Sequence, residues 1–454
     1  MKVETHPITG QDGTSAPETR RTDRTPMRVV AGSLLVGAVI ALVLSLVVFA
    51  GAGESVITGS MLVGFGCGWA ALAARSVRGA GRPQRWAAVP AVAMTCTGMG
   101  LVVLAPGDAV MSALNWVWPP LMLGLVGWMF VQTRRSLTGR GRWLLAPVLA
   151  VLTITPLGAT MANISEVRIR QAYPAPGTTY DVEGHRMHLW CQGRGGPTVV
   201  LFNGLGEIST SWARITDQVR STTRVCAYDR AGQAWSQDAP TPEDGIHAAT
   251  DLHALLAAAH ENGPYILVGH SIGGPYAMTY AARYPEQIAG MVLLDSSSPQ
   301  QMSKIPAYPG QYALMRRGLA VLPTLVRLGL GPVFSTGSDL PGDAGAETAA
   351  MTGTARALRN GRDEISMVPT LFEQSQALTS LAGRPLTVLT ASESLDGEGW
   401  RAAQDRLAQL SDNRLHRTVR SSHEGMVADA HAAIESAGAI TAVVASVRTG
   451  RPLR

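Results

Sequence analysis

Five long stretches without a charged residue fill most of the first third of this 454-residue chain. Each is about 20 residues long, the length that an α-helix needs to cross the hydrocarbon core of a bilayer. They occupy residues 29–50, 56–74, 86–105, 113–132 and 143–162. A cleaved signal peptide would account for the first stretch alone. The sequence therefore predicts an all-α transmembrane region of five spans within residues 29–164.

Arginine is confined to alternate loops of this region. Four arginines precede the first span, four lie between the second and third, and four lie between the fourth and fifth: Arg20, Arg21, Arg24, Arg28; Arg75, Arg78, Arg82, Arg85; Arg134, Arg135, Arg140, Arg142. The two remaining loops carry a single acid each, Glu54 and Asp108, and no lysine or arginine. Basic residues accumulate in loops that stay on the cytoplasmic side of a membrane. We therefore expect a multi-pass protein of the cell membrane, with a cytoplasmic N-terminus and residues 165–454 outside the cytoplasm.

The net charge of +5 comes from the arginines of the predicted transmembrane region and does not indicate a binding surface. Thirteen of the 38 basic residues, but six of the 33 acidic ones, lie within the first 164 positions. The remainder is slightly acidic, which argues against a nucleic-acid partner. Residues 1–28 are polar and lack apolar periodicity, so they are expected to form a disordered cytoplasmic tail. The spans contain no charged residue, which favours a membrane anchor over an ion or proton path.

After a short connector at 167–176, strand-like and helix-like segments alternate to the end of the chain. This pattern is typical of an α/β fold with a mostly parallel sheet. Strands are predicted at residues 185–191, 198–202, 224–228, 265–268, 290–294, 386–390 and 415–419. Residues 296–384 interrupt the pattern with helical periodicity at 312–328 and 364–381, and this interruption is too long for a crossover connection. It predicts a helical cap over the mouth of the sheet.

A pentapeptide that builds nucleophilic serines stands between an apolar strand and a helix. It reads Gly269-His270-Ser271-Ile272-Gly273. In a strand-to-helix elbow the serine lies on a strained turn, and side chains two residues before or after it would collide with the turn. The following helix directs its N-terminal N–H groups at the reaction centre, where they can hold an oxyanion. The motif predicts Ser271 as a nucleophile.

The pentapeptide around Ser271 is followed by two further segments, Tyr284-Pro285-Glu286 at the end of the predicted helix and Val292-Leu293-Leu294-Asp295 at the end of the next predicted strand. In this order the segments resemble the α/β-hydrolase fold family, and the resemblance covers residues 180–447. The loop Asn203-Gly204-Leu205-Gly206 is similar to the family's oxyanion loop, although family loops usually begin His-Gly. The resemblance implies that the backbone N–H groups of Leu205 and Ile272 bind the oxyanion. It also implies that Asp229-Arg230 braces the surrounding loops. In the family fold the strands that hold Cys191 and Cys226 are neighbours, which implies a disulfide between them.

A serine hydroxyl needs an imidazole to accept its proton and return it to the leaving group. The family places this histidine just after the last strand, which implies His423. His416 falls within that strand and His431 falls on the final helix. The acid that orients the histidine stays open, because the usual family position has no aspartate in register. Asp295 and Glu393 are level candidates, and Asp396 ranks third.

The resulting hypothesis is a membrane-anchored serine hydrolase of the esterase or lipase type, acting outside the cytoplasm on a small-molecule or lipid-like ester through an acyl-enzyme. The sequence has no H-E-x-x-H, phosphate-binding loop or dinucleotide fingerprint, so no metal or cofactor is expected. A serine rather than an aspartate nucleophile argues against dehalogenation. The alternative is a membrane sensor, transport or assembly module whose hydrolase-like domain binds a ligand without activity. The fold alone does not fix the substrate.

Overall fold

The computed structural model of the protein describes residues 24–78, 83–136, 140–239 and 243–454. The predicted N-terminal tail lies outside the described residues except for its last five positions, which begin the first helix. Within the described part of the chain, a bundle of long apolar helices precedes a mixed sheet that carries helices on both faces.

Five long helices form the first part of the chain as far as it is described, and they correspond to the five predicted spans. Their bounds are α1 (Arg24–Val43, continued by a wider turn over Leu44–Val48), α2 (Glu54–Arg78), α3 (Ala88–Leu104, after a tighter turn over Arg85–Ala87), α4 (Asp108–Ser136) and α5 (Arg140–Ala172). All five are long and apolar enough to cross a membrane. The connector predicted to begin at residue 167 is wrong in its first half, because α5 stays helical to Ala172. The last turns of α5 hold an i,i+4 ion pair between Glu166 and Arg170, which favours continued helix.

Large aromatic and aliphatic side chains fill the centre of the helix bundle. Trp69, Trp86 and Met129 are among its buried residues, and the Trp69 and Trp86 rings lie 5.9 Å apart. A buried asparagine pair joins the fourth and fifth helices, since the Asn163 amide donates to the Asn115 backbone carbonyl at 2.8 Å. Interhelical hydrogen bonds of this kind hold apolar helices together where lipid supplies no hydrophobic driving force.

In the described residues, eight strands form one sheet in the order β1-β2-β4-β3-β5-β6-β7-β8. Their bounds are β1 (Thr178–Val182), β2 (His185–Gln192), β3 (Thr198–Phe202), β4 (Val225–Tyr228), β5 (Tyr265–His270), β6 (Ile288–Leu294), β7 (Leu386–Ala391) and β8 (Arg414–Val419). The first two strands run antiparallel to their neighbours and all the others pair in parallel. Seven strands were predicted. The eighth, β1, exposes most of its side chains and therefore lacks the apolar pattern of a buried strand.

Helices cover both faces of the sheet. They are α6 (Ala213–Val219), α7 (Gly245–Ala258), α8 (Gly273–Arg283), α13 (Trp400–Ala408), α14 (Gly425–Ala428) and α15 (Ala430–Thr449). The last helix is also long and apolar enough to span a membrane by composition. It packs on the sheet instead, where Ile440, Val443 and Val444 join a buried cluster with strand residues.

The predicted cap is present between β6 and β7. It consists of α9 (Gln301–Lys304), α10 (Tyr308–Leu325), α11 (Asp343–Thr352) and α12 (Ala355–Ser375), with short helical turns over Val326–Leu330 and Gly331–Val333. The cap packs on α7 and α8, which cover the sheet, through buried residues of α12 that include Ile365, Val368 and Phe372. It is thereby fixed above the carboxyl ends of the parallel strands, which is where ligands bind in open α/β sheets.

Candidate active site

Ser271 and Ile272 connect the end of β5 to the beginning of α8, and Ser271 comes directly after the strand. Its φ of +54° is in the left-handed region, which a serine rarely adopts. The strained turn exposes the side chain at the top of the sheet. Glycine is required on both sides: a Cβ on Gly269 would lie 2.6 Å from the Cα of Gly274, and one on Gly273 would lie 2.1 Å from the carbonyl oxygen of Phe202. The sequence thus folds into the strand-to-helix elbow that the motif predicts.

His423 lies in the loop after β8, and its Nδ1 is 2.6 Å from Oδ2 of Asp295, which directly follows β6. Asp295 is fully buried, while the side chain of His423 stays 31% exposed. The same carboxylate accepts hydrogen bonds from the backbone N–H of Ala391 at 3.1 Å, from Trp400 Nε1 at 2.9 Å and from Ser394 Oγ at 2.5 Å. These donors fix both of its oxygens.

The electrostatics keep Asp295 ionised. Burial by itself raises the pKa of Asp295, but the hydrogen bonds from His423 and Ser394, and the attraction of the His423 ring, together hold it below its usual value. An ionised acceptor at Nδ1 holds the imidazole in the tautomer whose Nε2 lone pair is free to accept a proton.

The structure does not bring the other candidate acids to His423. Glu393 begins a short helical turn after β7 and is exposed, and its backbone N–H donates to the carbonyl of Ser421 at 3.2 Å. Among the described residues, its carboxylate makes no hydrogen bond or ion pair with the histidine loop. Asp396 is exposed in the same turn. Of the three acids weighed from the sequence, Asp295 alone has the geometry to orient His423.

The loop after β3 begins with Asn203 where family loops usually have histidine, and Asn203 and Arg230 hold this loop in place. The Asn203 side chain is buried, donates to the Tyr228 carbonyl at 2.9 Å and accepts from Trp212 Nε1 at 2.8 Å. Arg230 donates to the backbone carbonyls of Asn203 at 2.7 Å and Gly204 at 3.3 Å. These contacts place the backbone of Leu205 beside the cavity that Ile272 also lines.

Arg230, which follows β4, also binds to the cap. Its Nε donates to Oε1 of Glu364 at 2.8 Å, and both side chains are nearly inaccessible to solvent. Its partner in sequence, Asp229, accepts from the backbone of Ser209 at 2.7 Å and lies 2.7 Å from Nδ1 of His188. The expectation that Asp229-Arg230 braces loops is confirmed by these contacts, which also join the cap to the loop.

Sequence reasoning missed one buried pair beside Ser271. The Nδ1 of His270 lies 2.6 Å from Oε1 of Glu207, and its Nε2 lies 3.0 Å from the carbonyl oxygen of His423. The other carboxylate oxygen of Glu207 accepts from the backbone N–H of Gly204 at 2.5 Å. His270 therefore connects the loop after β3 to the loop that holds His423.

The hydrogen-bond partners of His270 and Glu207 determine which of these two side chains carries a charge. Both ring nitrogens of His270 face acceptors, so the imidazole satisfies both only as a cation. Burial by itself lowers the pKa of His270, but the Glu207 carboxylate and the His423 carbonyl together raise it above its ordinary value. Burial likewise raises the pKa of Glu207, and His270 and the Gly204 N–H bring it below its usual range. Glu207 is the fifth residue after β3, and no motif around it in the sequence indicates that it pairs with His270.

Ser271 and His423 line one cavity of about 330 Å³ beneath the cap. Its other lining residues are mostly apolar and come from the loop after β3, the elbow, the cap and the segment after β7: Leu205, Ile272, Ser297, Gln301, Tyr308, Met315, Ile365, Ser394 and Trp400. An apolar cavity with a few convergent polar groups is the usual form of a small-molecule site.

Cys191 and Cys226 are joined by a disulfide across the neighbouring strands β2 and β4, where they are paired in register. Cys67 and Cys96 are free and lie in α2 and α3. His416 lies in β8 and His431 in the first turn of α15, as expected.

One group away from the cavity has the composition of a metal site. The ligand atoms of His185, Glu243 and Asp251 lie within 4.8 Å of one another. Burial and the neighbouring Asp251 carboxyl raise the pKa of Glu243 well above its usual value. A carboxyl that keeps its proton can share it with Asp251, so these side chains are compatible with one another without an ion.

Comparisons with known proteins agree with this architecture. Residues 197–326 match the family model of the alpha/beta hydrolase fold. The chain is 30% identical to an uncharacterised protein of Schizosaccharomyces pombe over 196 residues, which cover 36% of each chain. It is 33% identical to the lipase LipV of Mycobacterium tuberculosis over 120 residues, or 26% of this chain and 45% of the lipase. The matches thus span less than half the length of these two relatives.

The fold is also similar to that of a solved structure, the Cif epoxide hydrolase from Acinetobacter nosocomialis. The TM-score is 0.51 at 16% identity, over 62% of this chain and 95% of the other. At this identity the likeness concerns the fold and not the reaction. Together with the sheet order and the elbow, these comparisons identify residues 178–454 as having the α/β-hydrolase fold, and a bundle of apolar helices precedes them in the chain.

Proposed function

We propose that the protein is a membrane-anchored serine hydrolase that cleaves ester bonds outside the cytoplasm, with Ser271, His423 and Asp295 as its catalytic triad. The observation that carries the proposal is the 2.6 Å contact between the ionised Asp295 and Nδ1 of His423, in a cavity that Ser271 also lines. A buried carboxylate, an orienting imidazole and a serine on a strained elbow have complementary roles in acyl transfer.

The reaction then has two halves. Nε2 of His423 takes the hydroxyl proton of Ser271 as Oγ bonds to the ester carbonyl carbon, and the backbone N–H groups of Leu205 and Ile272 bind the resulting oxyanion. As the C–O bond to the alcohol breaks, His423 gives the proton to the leaving oxygen. Water repeats the sequence on the acyl-enzyme and releases the carboxylic acid, which regenerates Ser271. Asp295 stays ionised throughout and stabilises the imidazolium.

Contacts between the two halves of the chain support the placement of the hydrolase fold outside the cytoplasm. Arg327 of the cap forms ion pairs with Glu54 and, at 2.6 Å, with Asp108. These acids belong to the two loops that lack lysine and arginine, and such loops face away from the cytoplasm. The ion pairs therefore support placing the cap on the side that the distribution of arginine predicts for residues 165–454.

Labelling with a fluorophosphonate probe tests the catalytic proposal. We expect the full chain in detergent to be labelled covalently, and the Ser271→Ala variant to lose the label. Ser303→Ala, which removes an exposed hydroxyl from the cap, is the control and should be labelled like the wild type. If the wild type is labelled no more than Ser271→Ala, the alternative of a binding module without activity gains instead.

Fusion of a phosphatase that is active only outside the cytoplasm tests the topology. A fusion after Arg454 should be active, and a fusion inserted between Ser136 and Arg140 should be inactive. The reverse pattern would contradict the proposed orientation.

A further inference from the structure

The turn that follows α10 reaches into the helix bundle rather than resting above it. We call residues 324–333 the cap tip. The hydroxyl of Thr324 lies 2.9 Å from that of Thr58 in α2. A Cβ on Gly158 of α5 would lie 2.3 Å from the carbonyl oxygen of Leu328, so the two backbones are in close contact. Thr58 and Gly158 fall within the uncharged stretches 56–74 and 143–162. The cap tip therefore lies at the level of the outer ends of the predicted spans.

Glycine permits this contact on both sides. Gly329 has a φ of +98°, a conformation that other residues rarely adopt, and a Cβ on it would lie 2.8 Å from the Cα of Gly158. Larger residues at either position would separate the tip from α5. The tip is thus shaped to fit the helix bundle at this point.

The charge on the cap tip is neutralised where the tip meets the bundle. The Arg327 side chain is only 9% exposed, and it pairs with Glu54 and Asp108. Arg359 of α12 reaches the other oxygen of Asp108 at 3.2 Å. Glu54 and Asp108 are the sole charged residues of their loops. A paired cation of this kind is compatible with the low-dielectric surface of a bilayer, whereas an unpaired one is not.

The remaining surface of the tip is apolar and exposed. Leu330 is 44% and Val333 73% exposed. Leu314 on α10 is 71% exposed, and in the described residues from 173 onward only Ile246 and Ile434 are comparable large hydrophobic residues. Three of these five side chains therefore lie on α10 and the segment after it, the part of the cap that contacts the spans. Side chains that are continuous with membrane helices have lipid as their natural neighbour.

The same helix that ends in the tip also forms a wall of the candidate active site. Tyr308 and Met315 line the cavity that contains Ser271. Met315 and Val326 are separated by about 16 Å along the helix, at 1.5 Å per residue. The helix α10 thus runs from the cavity to the contact with the helix bundle, and the cavity walls beside it are mostly apolar.

From these contacts we infer that the cap tip is inserted in the lipid–water interface of the outer leaflet. The acyl chain of a membrane-dissolved ester then follows α10 from the lipid to Ser271. The inference names the substrate class of the proposed hydrolase and therefore rests on that function. The occupant of the apolar surface is the outer leaflet itself. The bond cleaved and the proton transfers are those of the reaction above.

Two esters with the same leaving group separate access from chemistry. The full chain is reconstituted in phosphatidylcholine vesicles and given p-nitrophenyl butyrate, which stays in water, or p-nitrophenyl palmitate, which dissolves in the bilayer. The variant Leu330→Glu/Val333→Glu puts charge on the tip. Its matched control, Ile246→Glu/Ile434→Glu, changes two exposed isoleucines away from the membrane contact.

We expect the tip variant to lose at least tenfold in kcat/KM for the palmitate and less than twofold for the butyrate, while the control changes neither. Equal losses in the two variants, or a tip variant that hydrolyses palmitate like the wild type, overturn the inference and leave the hydrolase intact. Failure of the wild type to hydrolyse either ester overturns the proposed function itself.

A measurement of insertion depth does not depend on activity. In a Cys67→Ala/Cys96→Ala background, Val333→Cys carries an environment-sensitive fluorophore, and nitroxide lipids in the vesicle act as quenchers. We expect quenching at position 333 and none for Ile434→Cys. Fluorescence at position 333 that resists quenching would place the tip in water and refute the inference.

Discussion

Replacement of Asp295 by asparagine separates the charge of this residue from its shape. In the wild type, Oδ1 accepts from Ala391 and Trp400, and Oδ2 accepts from Ser394 and lies 2.6 Å from His423. The two donors at Oδ1 require the amide oxygen of an asparagine to stay on that side. The amide NH₂ must then occupy the position of Oδ2 and donate toward Nδ1 of His423.

That hydrogen bond selects the wrong tautomer. When Nδ1 accepts, the ring proton moves to Nε2, and Nε2 can no longer accept the proton of Ser271. We expect kcat to fall by about 10³–10⁴-fold, which corresponds to roughly 4–5.5 kcal/mol of transition-state stabilisation. The fold should persist, because three of the four contacts remain and the net loss of a hydrogen bond is about 1–2 kcal/mol.

Hydrolysis of p-nitrophenyl butyrate by Asp295→Asn, with thermal unfolding as the control for folding, checks this expectation. Glu393→Gln is the matched variant, since its carboxylate is exposed and should change kcat by less than about twofold. Retention of more than a tenth of the activity in Asp295→Asn, or an equal loss in Glu393→Gln, would refute the assignment of the acid.

Three further results follow from the same contacts. Folding raises the pKa of His270, so the contribution of this residue to stability is complete below its unfolded pKa near 6.5 and is lost as the pH rises through its folded pKa. The melting temperature of the wild type should therefore fall over this pH range, and that of His270→Gln should lack the fall. Cys191→Ser should lower the free energy of unfolding by about 3–4 kcal/mol, from the 35-residue separation that the disulfide closes, and a reductant should have no additional effect on this variant. Arg327→Leu leaves Glu54 buried without its partner and should cost about 3–5 kcal/mol in thermal or denaturant unfolding, whereas Arg170→Leu, which breaks an exposed pair, should cost less than about 1 kcal/mol.

The strands and the elbow could be predicted because their causes are local. Buried parallel strands read as continuous apolar runs, and the elbow requires glycine at fixed offsets from Ser271. The strand β1 could not be predicted, since an edge strand with one buried residue has no apolar period. The end of α5 was misplaced for a related reason, because a helix that leaves the membrane continues as polar sequence without a local stop signal.

The sequence predicts a site residue well when its position along the backbone determines its role. The prediction is ambiguous when the direction of the side chain determines the role. Both Asp295 and Glu393 follow strands whose carboxyl ends lie at the same edge of the sheet, so the sequence places both near His423. Burial and the donors Trp400 and Ser394 distinguish them, and these come from a segment about 100 positions further along the chain than Asp295. Such long-range contacts leave no pattern in the sequence around either acid.

His270 shows why the two loops of this site act together. The oxyanion loop and the histidine loop are far apart in sequence, and a triad is productive only if the carbonyl bound by one is within reach of the base on the other. Glu207 fixes the first loop through Gly204, and His270 joins Glu207 to the carbonyl of His423. Because this connection needs protons on both nitrogens of His270, deprotonation would release one loop from the other without any change in the proposed triad. The alignment of the proposed oxyanion loop with His423 therefore depends on a buried cation that is not a member of the proposed triad.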